Sequence, residues 1–193
     1  ANNSWAGGHV GALIGHIEEN VTIENVTIQG LVEIDGDLNM AGAGRIGGVV
    51  GGVYGGKVSL TEATVDVTVT AIAGEAGKTT SFIPCIGGVV GYACADGENN
   101  PLVVENTSNG AIVWDDQSKS VKAVPYIGGV AGYVTAGSFE NNVNTGVLAI
   151  NEPMDNLDWG GVIGASAVSV VDCENKGSLT INEEITKANI GGV

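Results

Sequence analysis

The stretch IGGVVG at residues 46–51 decides the fold, because versions of it return along the whole chain. Close copies stand at 86–91 and 127–132, looser copies at 10–15 and 159–164, and a partial copy at 190–193. The repeats start near 10, 46, 86, 127, 159 and 190, so successive starts are 31–41 residues apart. A period of this length is typical of solenoids, propellers and arrays. We therefore predict a single domain over 1–193 that is built from these repeats.

A second pattern follows the glycine-rich stretch in most repeats. An apolar residue precedes Glu-Asn at 23–25, 104–106, 139–141 and 173–175, and a glycine then opens an alternating segment such as 146–150. Alternation of this kind predicts a strand, and glycine and asparagine predict the turns between strands. Each repeat should thus hold two or three short strands, with equivalent asparagines stacked in a ladder. Cys173 takes the slot of Phe139 in this alignment, where we expect a small interior hydrophobe.

The composition predicts an all-β protein. Val and Ile together number 43 residues and Leu only 8, and β-branched side chains suit pleated strands better than helices. Read as one strand, residues 46–51 have no polar face, which predicts burial on both sides. Glycine inside a strand marks a close approach of another backbone. The length of the repeats varies mainly at 115–126 and 152–158, which we predict to be loops.

The two patterns together resemble the GLUG repeat, a family named for its Gly-Leu-x-Gly consensus. The resemblance lies in the Gly-Gly-Val-Val-Gly core and the Glu-Asn-x-x-x-Gly-x-aliphatic segment, and it extends from about Val10 to Val193. GLUG repeats occur in bacterial secreted and surface proteins, including adhesin-like ones, and the resemblance implies a cell-surface module without catalytic residues. From repeat length and strand content we expect a right-handed parallel β-helix of about five coils. A glycine-rich β-sandwich or prism is the alternative.

The charge excludes several classes of partner. Seven Lys and Arg stand against 22 Asp and Glu, for a net charge of −15, so polyanions are repelled. We expect no nucleic-acid partner and no anionic membrane surface, and no apolar run is long enough to insert into a bilayer. Exposed solenoid ends pair with further strands unless they are covered, so we expect either further repeats in a longer parent protein or end-to-end association with another chain.

Histidine and cysteine give no strong catalytic or metal motif. His9 and His16 flank the first glycine-rich stretch, and on strand alternation their seven-residue offset predicts opposite faces. Cys85, Cys94 and Cys173 are an odd number and form no CxxC pair, which indicates neither zinc nor a disulfide framework. Three buried thiols are expected, and one bridge with one free thiol is the alternative.

A weak calcium candidate and a ligand-contact candidate remain. Asp35, Asp37 and Asn39 have the spacing that opens a calcium loop, although Met40 stands where such a loop has glycine. No other cofactor is expected. Trp114 ends an alternating strand, and its ring offers a face to a sugar beside the acidic pair Asp115 and Asp116.

The sequence as a whole favours a structural or adhesive role. We expect a stalk or loop-presenting segment of an extracellular bacterial protein, located at the cell surface, which binds a host protein or a glycan and is not an enzyme. The alternative is a carbohydrate-active enzyme, or its glycan-binding module, on a β-helix.

Overall fold

The computed structural model describes the backbone of residues 8–34, 44–55, 58–61, 64–71, 85–94, 102–105, 108–109, 112–114, 126–150, 154–182 and 184–193. Every regular element within these ranges is a β-strand. In chain order the strands are β1 (His9–Gly11), β2 (Ile14–Ile17), β3 (Val21–Glu24), β4 (Thr27–Ile34), β5 (Arg45–Gly47), β6 (Val50–Val53), β7 (Val58–Thr61), β8 (Thr64–Ala71), β9 (Cys85–Gly87), β10 (Val90–Ala93), β11 (Leu102–Glu105), β12 (Ser108–Asn109), β13 (Ile112–Trp114), β14 (Tyr126–Gly128), β15 (Ala131–Val134), β16 (Ser138–Glu140), β17 (Val143–Asn144), β18 (Leu148–Ile150), β19 (Met154–Gly160), β20 (Ile163–Ser166), β21 (Val170–Val171), β22 (Glu174–Asn175), β23 (Leu179–Ile181) and β24 (Ile185–Gly191).

The strands form four sheets, and each sheet receives strands from successive repeats in order. The first sheet is β1-β5-β9-β14-β19-β24, the second β2-β6-β10-β15-β20, and the third β21-β16-β11-β7-β3. The fourth is β22-β17-β12-β8-β13-β18-β23, with β4 paired to β8. The strand pairs in these sheets are parallel. The prediction of an all-β protein is confirmed. We predicted two or three strands per repeat, whereas each of the first five repeats contributes one or more strands to each of the four sheets.

Strand register aligns the starts of the glycine-rich stretches in one column of the first sheet. Backbone pairing sets the column Val10, Ile46, Ile86, Ile127, Trp159 and Ile190. These positions point into the core in the middle of the stack, where Ile46, Ile86 and Ile127 are buried, and Trp159, in the isoleucine slot, is buried with them. Repeats whose starts lie 31–41 residues apart in the sequence thus stack on one another in space.

Each glycine-rich stretch folds as two strands joined by a bend, rather than as the single strand predicted. In the second repeat β5 ends at Gly47 and β6 begins at Val50. The carbonyl of Val89, in the bend of the next repeat, accepts hydrogen bonds from the N–H groups of Val49 at 2.9 Å and Val50 at 3.0 Å. The bends therefore stack from repeat to repeat as the strands do.

Glycine is required where the two strands of a bend press together. A Cβ at Gly47 would meet the carbonyl oxygen of Val50 and lie 2.7 Å from that of Val89. At Gly51 it would lie 2.6 Å from the carbonyl oxygen of Gly15 and 2.7 Å from the nitrogen of Val10. These atoms belong to the backbone and cannot rotate aside. The predicted close approach of backbones is confirmed, and so is the burial of the stretch on both sides.

An asparagine column lies in the fourth sheet. Register aligns Asn109, Asn144 and Asn175. Asn144 is fully buried; its Nδ2 donates to Oδ1 of Asn175 at 2.7 Å. Its own Oδ1 accepts from the N–H of Gly146 at 3.0 Å. A ladder bond therefore forms, but it joins Asn175 to Asn144 and not to Asn141, the asparagine that the repeated Glu-Asn motif aligns with it, so the predicted register of the ladder is wrong.

Two local predictions are wrong. Phe139 pairs with Val170, not with Cys173, so the last repeat is aligned three residues off at this point. Cys173 nonetheless packs, half-buried, against the hydrophobic core. The expected loop at 152–158 is also partly strand, since β19 pairs with β24 from Met154 onward.

The C-terminal end of the stack is more open than its middle. Ile181, Ile190 and Val193 expose 40%, 50% and 49% of their surface, whereas the core valines of the third and fourth repeats expose none. Among the described residues, no helix is long and apolar enough to cross a membrane.

Candidate functional site

Two neighbouring columns of residues, most of them only partly buried, carry most of the reactive side chains. The first column stands one position before each glycine-rich stretch and comprises His9, Arg45, Cys85, Tyr126, Asp158 and Asn189. The second stands six positions after each start and comprises His16, Gly52, Tyr92, Tyr133 and Ala165. Tyr54, just after β6, fills the space beside Gly52.

Seven residues in or beside these columns have aromatic rings or a guanidinium in contact with one another. We name them the aromatic strip: His9, His16, Arg45, Tyr54, Tyr92, Tyr126 and Tyr133. The strip contains both histidines, the only arginine and all four tyrosines of the chain. Aromatic residues are scarce here, with three Trp, four Tyr and two Phe in total. The strip therefore gathers residue types that the rest of the protein lacks.

The two histidines lie together at the first-repeat end of the strip. Their ring centroids are 4.8 Å apart in an edge-on arrangement, so the prediction of opposite faces is wrong. The bend between β1 and β2 breaks the alternation and brings the chain back beside itself. Nε2 of His9 and the hydroxyl of Tyr54 are hydrogen-bonded at 2.8 Å, and the His16 ring stacks on Tyr54 at 4.9 Å. His16 also pairs with Glu18 at 2.9 Å.

Arg45 occupies the centre of the strip. Its guanidinium carbon lies 4.2 Å from the ring centroid of Tyr92, a cation–π contact. Nε donates to the hydroxyl of Tyr54 at 3.2 Å, and Nη1 donates to Sγ of Cys85 at 3.4 Å. These three contacts restrict the orientation of the guanidinium plane.

The tyrosine rings continue the strip across the second, third and fourth repeats. Ring centroids are 5.4 Å apart between Tyr54 and Tyr92, 5.7 Å between Tyr92 and Tyr133, and 5.0 Å between Tyr133 and Tyr126. All four rings are half-buried. Burial raises the pKa of Tyr54, of Tyr92 and of Tyr126, so these hydroxyls stay protonated near neutral pH and can donate hydrogen bonds.

The two ends of the strip differ in their charged groups. At the histidine end, the pKa of His9 is lowered by burial and then by the nearby His16 and Arg45, both of which disfavour a positive charge on His9. At the other end, Asp158 stands next to Tyr126 in the first column and accepts a hydrogen bond from Nδ2 of Asn189 at 2.7 Å. The strip therefore runs from two histidines, past Arg45 and the tyrosine rings, to a carboxylate.

The cysteines are thiols, as expected, but they are not all buried. Cys85 is buried and burial raises its pKa to about 12. Cys94 and Cys173 are half-buried. Cys94 lies near Tyr92, and it contributes to the raised pKa of that tyrosine.

No family model matches the chain. No curated protein and no solved structure matches it either. The function must therefore be argued from the geometry of the strip and from the sequence motifs.

None of the site candidates from the sequence is a member of the aromatic strip. The calcium candidate Asp35, Asp37 and Asn39 lies outside the described residues, as do Asp115 and Asp116. Trp114 is described only as backbone, where it pairs with Ile150 at the end of β13. Within the described ranges no group of three or more His, Cys, Asp and Glu is placed to hold a metal ion.

A sequence signal for the strip existed outside the repeated motif. The position before each start reads His, Arg, Cys, Tyr, Asp and Asn, and the position six after it reads His, Gly, Tyr, Tyr and Ala. These two positions vary while the stretch between them stays constant. When these two positions are compared between repeats, the histidines, the arginine and three of the four tyrosines all fall in them.

Proposed function

We propose that this chain is a right-handed parallel β-helix of about five coils that serves as a structural and adhesive module at a bacterial cell surface. The parallel pairing of equivalent strands, repeat after repeat, supports the β-helix over the sandwich or prism. A β-sandwich is built from antiparallel sheets, which need no such register between distant repeats.

The surface location rests on the sequence motifs. The resemblance to GLUG repeats, together with the strongly acidic composition, supports a secreted or surface-attached protein. In this proposal the stacked repeats provide a rigid column, and side chains outside the core provide the chemistry of binding. Neither role requires a cofactor or a catalytic group.

The observation that carries the proposal is the convergence of all four tyrosines, both histidines and the arginine on one half-exposed strip. Aromatic faces and hydrogen-bonding edges are what a carbohydrate surface needs, because C–H groups of a sugar pack on a ring while hydroxyls bond to polar tips. The packing of the repeat interior does not require tyrosines and an arginine at the surface, so their grouping there needs another explanation. We therefore assign the strip as the binding site of the adhesive module, with a glycan as its ligand.

A combined glycan and host-protein array, run with and without calcium, tests the proposal. We expect selective glycan binding that is lost in Tyr92→Ala and in Tyr133→Ala and is independent of calcium. Val147→Ser, which changes an exposed side chain in the turn before β18, is the matched control. If binding persists in both tyrosine variants, the glycan binds elsewhere than on the strip. If the chain binds no glycan, the adhesive role is wrong and the chain is a passive stalk.

The enzymatic alternative, a carbohydrate-active enzyme on a β-helix, is tested with the same glycans. Release of reducing ends or of unsaturated products from a bound oligosaccharide would favour it. Under our proposal the protein returns every bound glycan intact.

A further inference from the structure

We infer that the carboxylate end of the aromatic strip binds a neutral sugar through two adjacent hydroxyl groups. Four residues form this part of the surface, which we name the diol subsite: Tyr126, Tyr133, Asp158 and Asn189. The inference rests on the proposed function, and it names the class of sugar that the adhesive module takes. Register, hydrogen bonding, ring contacts and charge each support one step of the argument.

Strand register assembles the diol subsite. Tyr126, Asp158 and Asn189 follow one another in the first column, on strands β14, β19 and β24. Residues paired across neighbouring strands lie about 5 Å apart, and their side chains leave the sheet on the same side. The ring of Tyr133, from the second column, has its centroid 5.0 Å from that of Tyr126. A carboxylate, an amide and two phenol rings therefore meet on one small area of the surface.

The carboxylate and the amide of the subsite match a pair of hydroxyl groups. Oδ1 of Asp158 accepts a hydrogen bond from Nδ2 of Asn189 at 2.7 Å, which orients both side chains across the strand pair. This bond uses only part of their capacity, because a carboxylate has two acceptor oxygens and an amide has two N–H groups and an oxygen. Asp158 is half-buried and Asn189 is exposed, so a ligand can reach both. Adjacent sugar hydroxyls can donate to the carboxylate and accept from the amide.

The two tyrosine rings supply the apolar side of the subsite. Tyr126 and Tyr133 are half-buried, and their ring planes are inclined by 52°. The C–H face of a sugar packs on such a ring while its hydroxyls bond to polar groups at the edge. The pKa of Tyr126 is raised by burial and then by the negative charge of Asp158, so the carboxylate lies close to this ring. A sugar that packs on the rings therefore has its edge within reach of Asp158.

The charge of the subsite favours a neutral sugar over an acidic one. Asp158 is the ionised group among the four side chains, and the chain as a whole has a net charge of −15. Both charges repel an anionic ligand. A neutral hydroxyl group avoids this repulsion, and its hydrogen bond to an ionised acceptor is about twice as strong as a bond between neutral groups. The ligand that fits is a neutral sugar with two adjacent free hydroxyls.

The experiment measures the affinity of neutral oligosaccharides that end in galactose, mannose or glucose, together with their sialylated forms. For the tightest ligand, each hydroxyl of the terminal sugar is then replaced by hydrogen in turn. We expect two adjacent replacements each to weaken binding about tenfold, and the sialylated form to bind more weakly than its neutral parent. Asp158→Asn keeps the shape of the side chain and an acceptor for Asn189, and should also weaken binding about tenfold.

A matched control and the opposing outcomes complete the test. Lys187→Gln changes an exposed side chain two positions before Asn189, on the same face of β24, and should leave the affinity unchanged. If Asp158→Asn binds as tightly as the wild type while Tyr133→Ala does not bind, the diol assignment is wrong and the glycan-binding function stands. Tighter binding of a sialylated form than of its neutral parent leads to the same conclusion. If no sugar binds, both the assignment and the glycan-binding function are wrong.

Discussion

The side-chain amide of Asn144 donates a hydrogen bond to the side-chain oxygen of Asn175 in the next repeat, 2.7 Å away. Asn144 is fully buried, and its own oxygen accepts the N–H of Gly146. One side chain therefore closes a turn within its repeat and joins that repeat to its neighbour. Such a residue is expected to contribute more to stability than its size suggests.

Removal of this amide provides the first prediction. Asn144→Ala leaves the buried N–H of Gly146 without its acceptor, which costs about 1–3 kcal/mol, whereas Oδ1 of Asn175 loses one donor and keeps the N–H of Gly177. We expect the free energy of unfolding, measured in urea, to fall by about 1–3 kcal/mol. Thr180→Ala, an exposed position on β23, should change it by less than about 0.5 kcal/mol. Equal midpoints for the two variants would contradict the role of the ladder.

The glycine-rich bends provide the second prediction. Gly47→Ala places a methyl group against the backbone of Val50, Val89 and Gly91, which cannot move aside. Overpacking of this kind costs about 1–3 kcal/mol and sometimes more, so we expect a clear fall in melting temperature. Gly192→Ala is the matched control, because nothing lies within 4 Å of the added methyl group. A Gly47→Ala protein that melts with the wild type would show that the bend tolerates a side chain.

The dependence of stability on pH follows from His9. Burial, His16 and Arg45 lower its pKa below the ordinary value of 6.5, so the unfolded chain binds the proton more readily than the folded one. The contribution of His9 to stability is therefore present above pH 6.5 and declines as the pH falls below it. The groups that face His9 are His16 on β2, Arg45 on β5 and Tyr54 after β6, while Glu18 binds His16.

Comparison of wild type with His9→Gln tests this dependence. We expect the wild type to lose more unfolding free energy than the variant between pH 7.5 and pH 5.5. Carboxylates contribute equally to both proteins and cancel in the difference. A parallel decline of the two curves would mean that the imidazole of His9 titrates in the same way in the folded and unfolded chains.

The thiols differ in expected reactivity. Burial raises the pKa of Cys85 to about 12, so almost no thiolate is present at pH 8. We expect iodoacetamide to modify Cys94 and Cys173, which are half-buried, before Cys85 in the folded protein. In urea all three should react at similar rates. Mass spectrometry of the alkylated peptides measures the order, and early labelling of Cys85 would contradict its burial.

Trp159 is the largest side chain in the fully buried core, and its indole N–H has no hydrogen-bond partner there. Trp159→Ala should cost about 3–5 kcal/mol because it leaves a large cavity. Trp159→Phe should cost much less, since it keeps an aromatic ring and removes an unsatisfied buried donor. Chemical unfolding of the two variants provides the comparison, and equal losses would mean that the indole N–H is satisfied in solution.

Much of the stack could be predicted from the sequence, because the core is specified within each repeat. The position shared by Ile46, Ile86 and Ile127 was visible as a repeated letter, and backbone pairing places these residues in register. The burial of Trp159 followed from its place in that column. Repetition thus predicted which residues stack.

The bends and the exact register of the last repeat could not be predicted. Alternation assumes that a strand continues, whereas the chain turns between Gly47 and Val50 and brings His9 beside His16. In the last repeat Val170 replaces Phe139, so the matching letters Glu-Asn pointed to the wrong residues. A conserved backbone shape marks the true equivalence, since Asn25, Asn141 and Asp172 all have a positive φ, between 49° and 55°. The turn imposes that backbone conformation, and no single residue type marks the position in the sequence.

The register that builds the stack also separates two sets of positions. Residues within the glycine-rich stretch are buried in the middle of the stack, and they decide whether one repeat can pack on the next. The two flanking positions hold different residue types from repeat to repeat, and their side chains reach the surface except at the buried Cys85 and Gly52. A substitution at a half-buried flanking position, such as Ala165, should therefore change the surface of one repeat with little effect on the packing between repeats.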